Sequence, residues 1–163
     1  MSELCQQWEQ EALSSSDQNT KIMRLGVVLG RQGGILPQML LPIKLNLAGR
    51  IGHGRQPMTW VHIDDVISVI KHLMGHQSSQ QIYNVVAPDH LSQQQFTQFA
   101  AKCLKRKPLF AVPAWVMQFL MGEQSQLVLN GQYVHPQALL DEGYVFQYPD
   151  IQSALQQLLQ SKR

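Results

Sequence analysis

The pattern of apolar and polar positions divides the chain into two stretches of different character. Up to residue 87, short apolar runs alternate with segments whose apolar residues recur at helical spacing. Alternating helices and strands are typical of a doubly wound parallel sheet. Beyond that point helical spacing predominates, which predicts a small helical subdomain. The sequence therefore predicts an α/β protein with one domain at 1–87 and a second at 88–163.

The run from Lys21 to Gly30 is a compact apolar segment of the first stretch. Its near-continuous apolar character predicts a strand that is buried on both faces of a parallel sheet. Two shorter strands are predicted at 60–63 (WVHI) and 82–87 (IYNVVA). Arg24 is unusual within such a run, because a buried guanidinium needs several acceptors. It either ties the strand to a neighbouring loop or contacts a ligand.

One helix is predicted before these strands, at 3–14, and another between them, from Ile35 to Leu47. A third helix follows residue 63, where Asp64 or Asp65 is placed to cap its first turn. Ser92 is placed to cap a fourth helix in the same way. The third helix has apolar residues at helical spacing: Val66, Ile67, Ile70, Leu73 and Met74.

The last third of the chain carries mostly helical patterns. The predicted helices run over Ala114–Met121, Glu123–Asn130, Pro136–Glu142 and Ile151–Gln160. Trp115 and Phe119 are among the apolar residues of the first of these, which forms either part of the core or a lid over a substrate cleft.

Composition narrows the possible partners. The 163 residues carry a formal charge of +2, which does not by itself indicate nucleic-acid binding. No apolar run reaches the roughly 20 residues of a membrane-spanning helix, so we expect a cytoplasmic protein with no membrane partner. Cys5 and Cys103 lie far apart without metal-ligand spacing, so neither a metal site nor a disulfide framework is predicted.

Three segments in a fixed order indicate a family. They are Arg24 to Gly30 (RLGVVLG), Gly52 to Val66 (GHGRQPMTWVHIDDV) and Ile82 to Pro88 (IYNVVAP). Together they resemble the second half of an extended short-chain dehydrogenase/reductase of the NAD(P)-dependent epimerase/dehydratase family. More closely, the chain resembles the cell-division-inhibitor-like branch, whose C-terminal extension has no assigned role. The resemblance implies an incomplete Rossmann-like sheet followed by a small helical subdomain.

Two parts of that family's active site are missing from the sequence. No glycine-rich turn of the dinucleotide-binding type is present, and the cluster Gly30–Gly34 has the wrong spacing for one and is interpreted as a loop. No tyrosine has a lysine four residues after it. The chain therefore has no predicted catalytic residue, and we expect Met1 to replace an internal residue of a longer protein. The resemblance implies NAD or NADP in that complete protein and no cofactor bound by this fragment alone.

The resemblance also implies a place for the nicotinamide ring. In the family, the strand end that matches Leu25, Gly26, Val27 and Val28 passes under the ring and supplies backbone and small apolar contacts. A plain buried strand is the alternative interpretation of these four residues.

Substrate contacts are predicted in the second of the three segments. In sugar-nucleotide epimerases the residue four before the matching histidine is an arginine that binds the pyrophosphate, but here that position holds Met58. Arg55 lies three residues upstream and could reach the same cleft. Trp60 offers a flat apolar wall and His62 an imidazole. For Trp60 and His62 the alternative is a role in the core.

Two functions from different classes follow. In the first, the chain is the substrate-side portion of a nucleotide-sugar epimerase/dehydratase-like oxidoreductase that acts on a small molecule and is inactive as an isolated fragment. In the second, it is a non-catalytic binding module that acts through an exposed sheet edge. Because an unpaired parallel edge is a template for strand pairing, the chain is predicted to self-associate in either case.

Overall fold

The computed structural model describes residues 3–14, 20–46, 54–75, 80–107 and 132–160. Within these ranges, helices and strands follow one another in this order: α1 (Glu3–Ser14), β1 (Ile22–Leu25), β2 (Val27–Leu29), α2 (Leu36–Lys44), β3 (Trp60–His62), α3 (Ile63–Gly75), β4 (Ile82–Val85), α4 (Gln93–Cys103), α5 (Gln137–Asp141) and α6 (Ile151–Gln160). The predicted helices at Ala114–Met121 and Glu123–Asn130, with Trp115 and Phe119, lie outside the described residues.

All strand pairing between these elements is parallel, as predicted. β1 pairs with β4, with Ile22 opposite Ile82, and β2 pairs with β3, with Val27 opposite Trp60. The α/β class with an incomplete Rossmann-like sheet is therefore confirmed.

The predicted single strand from Lys21 to Gly30 is divided at Gly26. The Gly26 N–H donates to the Val85 carbonyl at 3.2 Å, whereas the next N–H, that of Val27, donates to the Thr59 carbonyl at 2.9 Å. The strand thus changes partner from β4 to β3 within one residue. The prediction of burial on both faces was wrong for its first half, because Leu25 is 49% exposed.

Gly26 is required at this division for a steric reason. A Cβ atom built there would lie 3.0 Å from the Thr59 carbonyl oxygen and 3.1 Å from Cγ1 of Val86. The first of these atoms belongs to the backbone of the residue just before β3 and cannot rotate away. Glycine therefore allows the two strand pairs to approach each other closely.

Helix α3 begins one residue earlier than predicted, at Ile63, and its start is organised differently. Nδ1 of His62 accepts a hydrogen bond from the Asp64 N–H at 3.1 Å, as the side chain of a capping residue would. Asp64 and Asp65 both lie inside the first turn, and Asp65 is fully buried, so the prediction that one of them caps the helix was wrong.

The buried face of α3 also differs from the predicted stripe. Val66 and Leu73 are buried together with Val69, whereas Ile67 and Ile70 are exposed by 45% and 39%. Met74 of the same stripe is exposed as well. The helix has apolar residues on two faces, so sequence spacing alone did not decide which face meets the core.

Helix α4 follows its prediction closely. The Ser92 hydroxyl accepts from the Gln95 N–H, and the Gln95 side chain accepts from the Ser92 N–H at 2.9 Å, which completes a capping box. Helix α2 is shorter than the predicted Ile35–Leu47 and carries Pro37 in its first turn.

Two clusters of buried residues hold the elements together. The first lies between β2, β3, α2, α4 and α6, and includes Leu29, Trp60 and Leu155. The second lies between α3, β3, β4 and α5, and includes Val69 and Leu139. The predicted helices near Pro136–Glu142 and Ile151–Gln160 are confirmed as α5 and α6, and they share these clusters with the first stretch of the chain. None of the helices in the described ranges has the length and apolar character needed to cross a bilayer.

Candidate functional site

A depression of about 410 Å³ lies at the carboxyl end of β2 and the beginning of α3. Ligands in open α/β sheets bind outside the carboxyl ends of the strands, so this position agrees with the general rule for the fold. The lining residues are Val28, Gly30, Arg31, Gln32, Gly33, Gly34 and Ile63.

The loop that lines the depression contains glycines and one exposed cation. Gly34 has a φ of +74°, a left-handed conformation that favours glycine. Gly33 has no atom within 4 Å of an added Cβ, and Arg31 is exposed. The guanidinium of Arg31 suits an anionic group of a ligand. Arg31 and Gln32, which line the depression, were not predicted from the sequence, although a glycine-rich loop directly after a parallel strand was the available signal.

The predicted nicotinamide contacts are separated by the division of the strand. Val28 lines the depression, whereas Gly26 packs against Thr59 and Val86. Leu25 is half exposed on β1, and Val27 packs against the first core cluster. Their contact with a cofactor stays a prediction.

The predicted substrate residues lie apart from the depression. His62 is 1% exposed, and Nε2 lies 3.1 Å from Oε1 of Gln157 on α6. Because Nδ1 accepts from the Asp64 N–H, Nε2 carries the proton and donates to Gln157. Trp60 is equally buried, within the first core cluster. Arg55 is exposed, on the loop before β3. These positions match the core interpretation of Trp60 and His62.

Met58, at the position of the family's pyrophosphate-binding arginine, is buried in the first core cluster. Its N–H donates to the carbonyl of Leu91 at 2.8 Å. The methionine at this position therefore serves packing and not charge recognition.

Arg24 forms a two-point ion pair with Glu9 of α1. Nε donates to Oε1 at 2.8 Å and Nη2 donates to Oε2 at 2.5 Å. The hydrogen bond from Arg24 lowers the pKa of the Glu9 carboxyl, and the same bond raises the pKa of Arg24. Arg24 thus ties the strand to helix α1. The sequence had predicted a neighbouring loop or a ligand as its partner.

Asp65 joins α3 to the turn between α5 and α6. Its carboxylate accepts from the Gln147 N–H at 2.7 Å and from the Tyr148 N–H at 3.0 Å. The Tyr144 hydroxyl donates to the Asp65 carbonyl oxygen at 3.3 Å. Burial, followed by the charge of Asp65, raises the pKa of Tyr144 to about 12.

Comparison with known families agrees with the fold. The model of the NAD dependent epimerase/dehydratase family matches residues 1–86, and that of a domain of unknown function, DUF1731, matches residues 112–158. The chain belongs to the NAD dependent epimerase/dehydratase family. Neither description includes a role in cell division, so the cell-division-inhibitor-like branch stays a prediction.

Individual relatives are longer than this chain. The human "Epimerase family protein SDR39U1" is 35% identical over 160 residues, which are 97% of this chain and 55% of the relative. "Epimerase family protein YfhF" of Bacillus subtilis is 32% identical over 158 residues, 96% of this chain and 52% of the relative. The chain thus spans about half the length of the curated relatives it matches.

Solved structures that match this chain are also longer than it. The crystal structure of human SDR39U1 (isoform2) with NADPH matches with a TM-score of 0.87 and 34% identity, over 98% of this chain and 55% of that chain. A nucleoside-diphosphate sugar epimerase from Corynebacterium glutamicum matches with a TM-score of 0.72 and 26% identity, over 96% of this chain and 30% of that chain.

The family implies a dinucleotide cofactor, but the described residues do not fit its pyrophosphate by themselves. A pyrophosphate cradle needs free N–H groups at the start of a helix. The glycine loop of this chain leads into α2, whose first turn contains Pro37 and so lacks one of these donors. The described residues therefore do not supply the phosphate end of a cofactor site.

Proposed function

We propose that this chain is the substrate-side half of an NAD(P)-dependent oxidoreductase of the nucleotide-sugar epimerase/dehydratase kind. The observation that carries the proposal is the depression at the carboxyl end of β2, in a chain of this family. Arg31, which lines it, offers a positive charge to an anionic sugar nucleotide. The first half of the enzyme would supply the cofactor's phosphate site and the catalytic pair.

Two features of the chain support a role that depends on the other half. The sequence contains neither a dinucleotide-binding glycine turn nor a Tyr-x-x-x-Lys pair. Val28, one of the four predicted nicotinamide contacts, lines the depression. We therefore propose that NAD or NADP binds the complete protein and that the isolated chain is inactive and binds neither.

A chimaera tests this proposal. The matched 160 residues of human SDR39U1 would be replaced by this chain, and NADPH affinity would be measured by calorimetry. We expect affinity within tenfold of the human protein, because the phosphate site comes from the human half. A folded chimaera that does not bind NADPH would contradict the proposal.

The isolated chain provides the second arm of the experiment. We expect no measurable heat with NADPH or NADH, whereas UDP-glucose should shift the amide signals of residues 30–34 in an NMR titration. Micromolar binding of either dinucleotide by the chain alone would show that it holds a complete cofactor site, against the proposal.

Self-association is the second candidate, and the edge of β1 supports it. Among the described residues β1 pairs with β4 alone, and Leu25 is half exposed beside it. A second copy could pair with this edge. Light scattering over a hundredfold concentration range should show a growing mass, and Leu25→Lys should reduce it. A monomer throughout that range would exclude this candidate.

Location in the cytoplasm stays a prediction.

A further inference from the structure

Two histidines from distant parts of the chain meet outside the depression. Nε2 of His90 and Nε2 of His135 lie 3.1 Å apart, and their ring centroids lie 4.9 Å apart with the planes inclined at 61°. Both residues are exposed, so solvent reaches the pair. The ring of Tyr133 contacts His90 edge-on, with centroids 5.3 Å apart.

The segments that carry the two histidines are each held to the fold. Next to His90, the Asp89 carboxylate accepts from the Ile151 N–H at 3.1 Å. The carbonyl of His135 accepts from Nδ2 of Asn84 at 3.5 Å, and the hydroxyl of Thr59 donates to the carbonyl of Gln132. Because both backbones are anchored, the two rings are brought together by the fold.

The distance between the two nitrogens suits a shared metal ion. Zinc binds imidazole nitrogen at about 2.0–2.1 Å, so two nitrogens on one tetrahedral ion lie about 3.3 Å apart. The observed 3.1 Å requires only a slight adjustment of the side chains. Imidazole also suits copper and nickel, whereas magnesium prefers oxygen ligands. A hydrogen bond between one protonated and one unprotonated nitrogen is the alternative explanation of the same distance.

We propose that His90 and His135 together bind one divalent transition-metal ion. No group of three or more His, Cys, Asp or Glu residues suited to a metal occurs in the part of the chain that the structure describes. Among the described residues the site therefore has these two protein ligands, and water or an external ligand would complete the coordination. A bound ion would cross-link the segment after β4 to the segment before α5, on either side of the part of the chain at 108–131.

Zinc titration of the chain, after treatment with EDTA, tests the proposal. Calorimetry should show one ion per chain, and magnesium should give no heat. His90→Gln and His135→Gln should each weaken zinc binding at least tenfold. The zinc affinity of the double variant should lie within tenfold of that of either single variant. His76→Gln, which removes a different histidine, is the control and should bind zinc like the parent.

Thermal unfolding gives a second readout. Zinc should raise the melting temperature of the parent and of His76→Gln, because an ion that binds only the folded state stabilises it. The rise should disappear in both site variants. Equal zinc affinity in the parent and the double variant would overturn the proposal and leave the hydrogen bond as the explanation.

A measurement on the unaltered chain covers the case in which a variant does not fold. On addition of nickel, the ring protons of two of the six histidines should broaden first in the NMR spectrum. Assignment of those two signals to residues other than His90 and His135 would also overturn the proposal.

Discussion

The carboxylate of Asp65 accepts a hydrogen bond from the backbone N–H of Tyr148 at 3.0 Å, across 83 positions of sequence. A second bond from the Gln147 N–H, at 2.7 Å, reaches its other oxygen. The imidazole of His62 lies over the Tyr148 ring, with centroids 3.9 Å apart. The start of α3 and the turn before α6 therefore form one connected unit, in which the C-terminal part of the chain is joined to the part that matches the epimerase family.

Asp65→Asn should destabilise the folded protein. An asparagine offers one oxygen and one NH2 group to two N–H donors, so one bond is lost and a donor faces a donor. Hydrogen bonds to charged groups are worth about 1.5–3 kcal/mol, and we expect a loss of this size in urea unfolding. Asp64→Asn is the matched control, because the Asp64 side chain is 45% exposed, and it should change the free energy of unfolding by less than about 0.5 kcal/mol. Equal effects at the two positions would contradict a stabilising role for the two hydrogen bonds that Asp65 accepts.

Gly26→Ala should be more harmful than the same substitution at Gly33. The new methyl group at position 26 would meet the Thr59 carbonyl oxygen at 3.0 Å, and such overpacking costs about 1–3 kcal/mol. Gly33 has no atom within 4 Å of an added Cβ, so alanine there should lie within about 0.5 kcal/mol of the parent. Thermal or urea unfolding of both variants gives the comparison. A neutral Gly26→Ala would show that the strand can divide without glycine.

Arg31 and Arg55 distinguish two positions for the substrate's anion. Arg31 lines the depression, whereas Arg55 is the residue that the sequence predicted. In the chimaera with the human first half, Arg31→Ala should weaken UDP-glucose binding by about 1.5–3 kcal/mol, with little change in melting temperature because the side chain is exposed. The same loss in Arg55→Ala, with Arg31→Ala unaffected, would move the site to the loop before β3.

Trp60→Ala should act on stability and not on a ligand contact. The side chain is 1% exposed within the first core cluster, and truncation of a buried aromatic costs about 3–5 kcal/mol. Trp60→Phe, which retains most of the buried volume, should recover much of that loss. A Trp60→Phe variant with parental stability and no UDP-glucose binding would instead support the substrate role.

The Tyr144 phenol should make folding sensitive to high pH. Its pKa is raised from 10.0 to about 12, so the folded state holds its proton in a range where the unfolded chain has lost it. The free energy of unfolding should therefore fall as the pH rises from about 10 to about 12. Urea midpoints measured across this range should decline less steeply in Tyr144→Phe than in the parent. Parallel declines would mean that another group is responsible.

The sequence by itself determined the features that depend on neighbouring residues. The alternation of short apolar runs and helical patterns gave the α/β class, and the Ser92 capping box fixed the start of α4, because these preferences act within a few residues. The ordered segments around Arg24, Trp60 and Ile82 were sufficient for the family.

The tertiary structure decided what depends on contacts between distant residues. It showed that Gly26 allows the strand to divide between two strand pairs. It also showed that Asp65 binds the backbone of the turn at 147–148, although its position in the sequence had predicted a helix cap. It also placed His62 in the core and the glycine loop beside the depression. None of these follows from sequence spacing, because a side chain's partners across about 80 positions are set by how the sheet and helices pack.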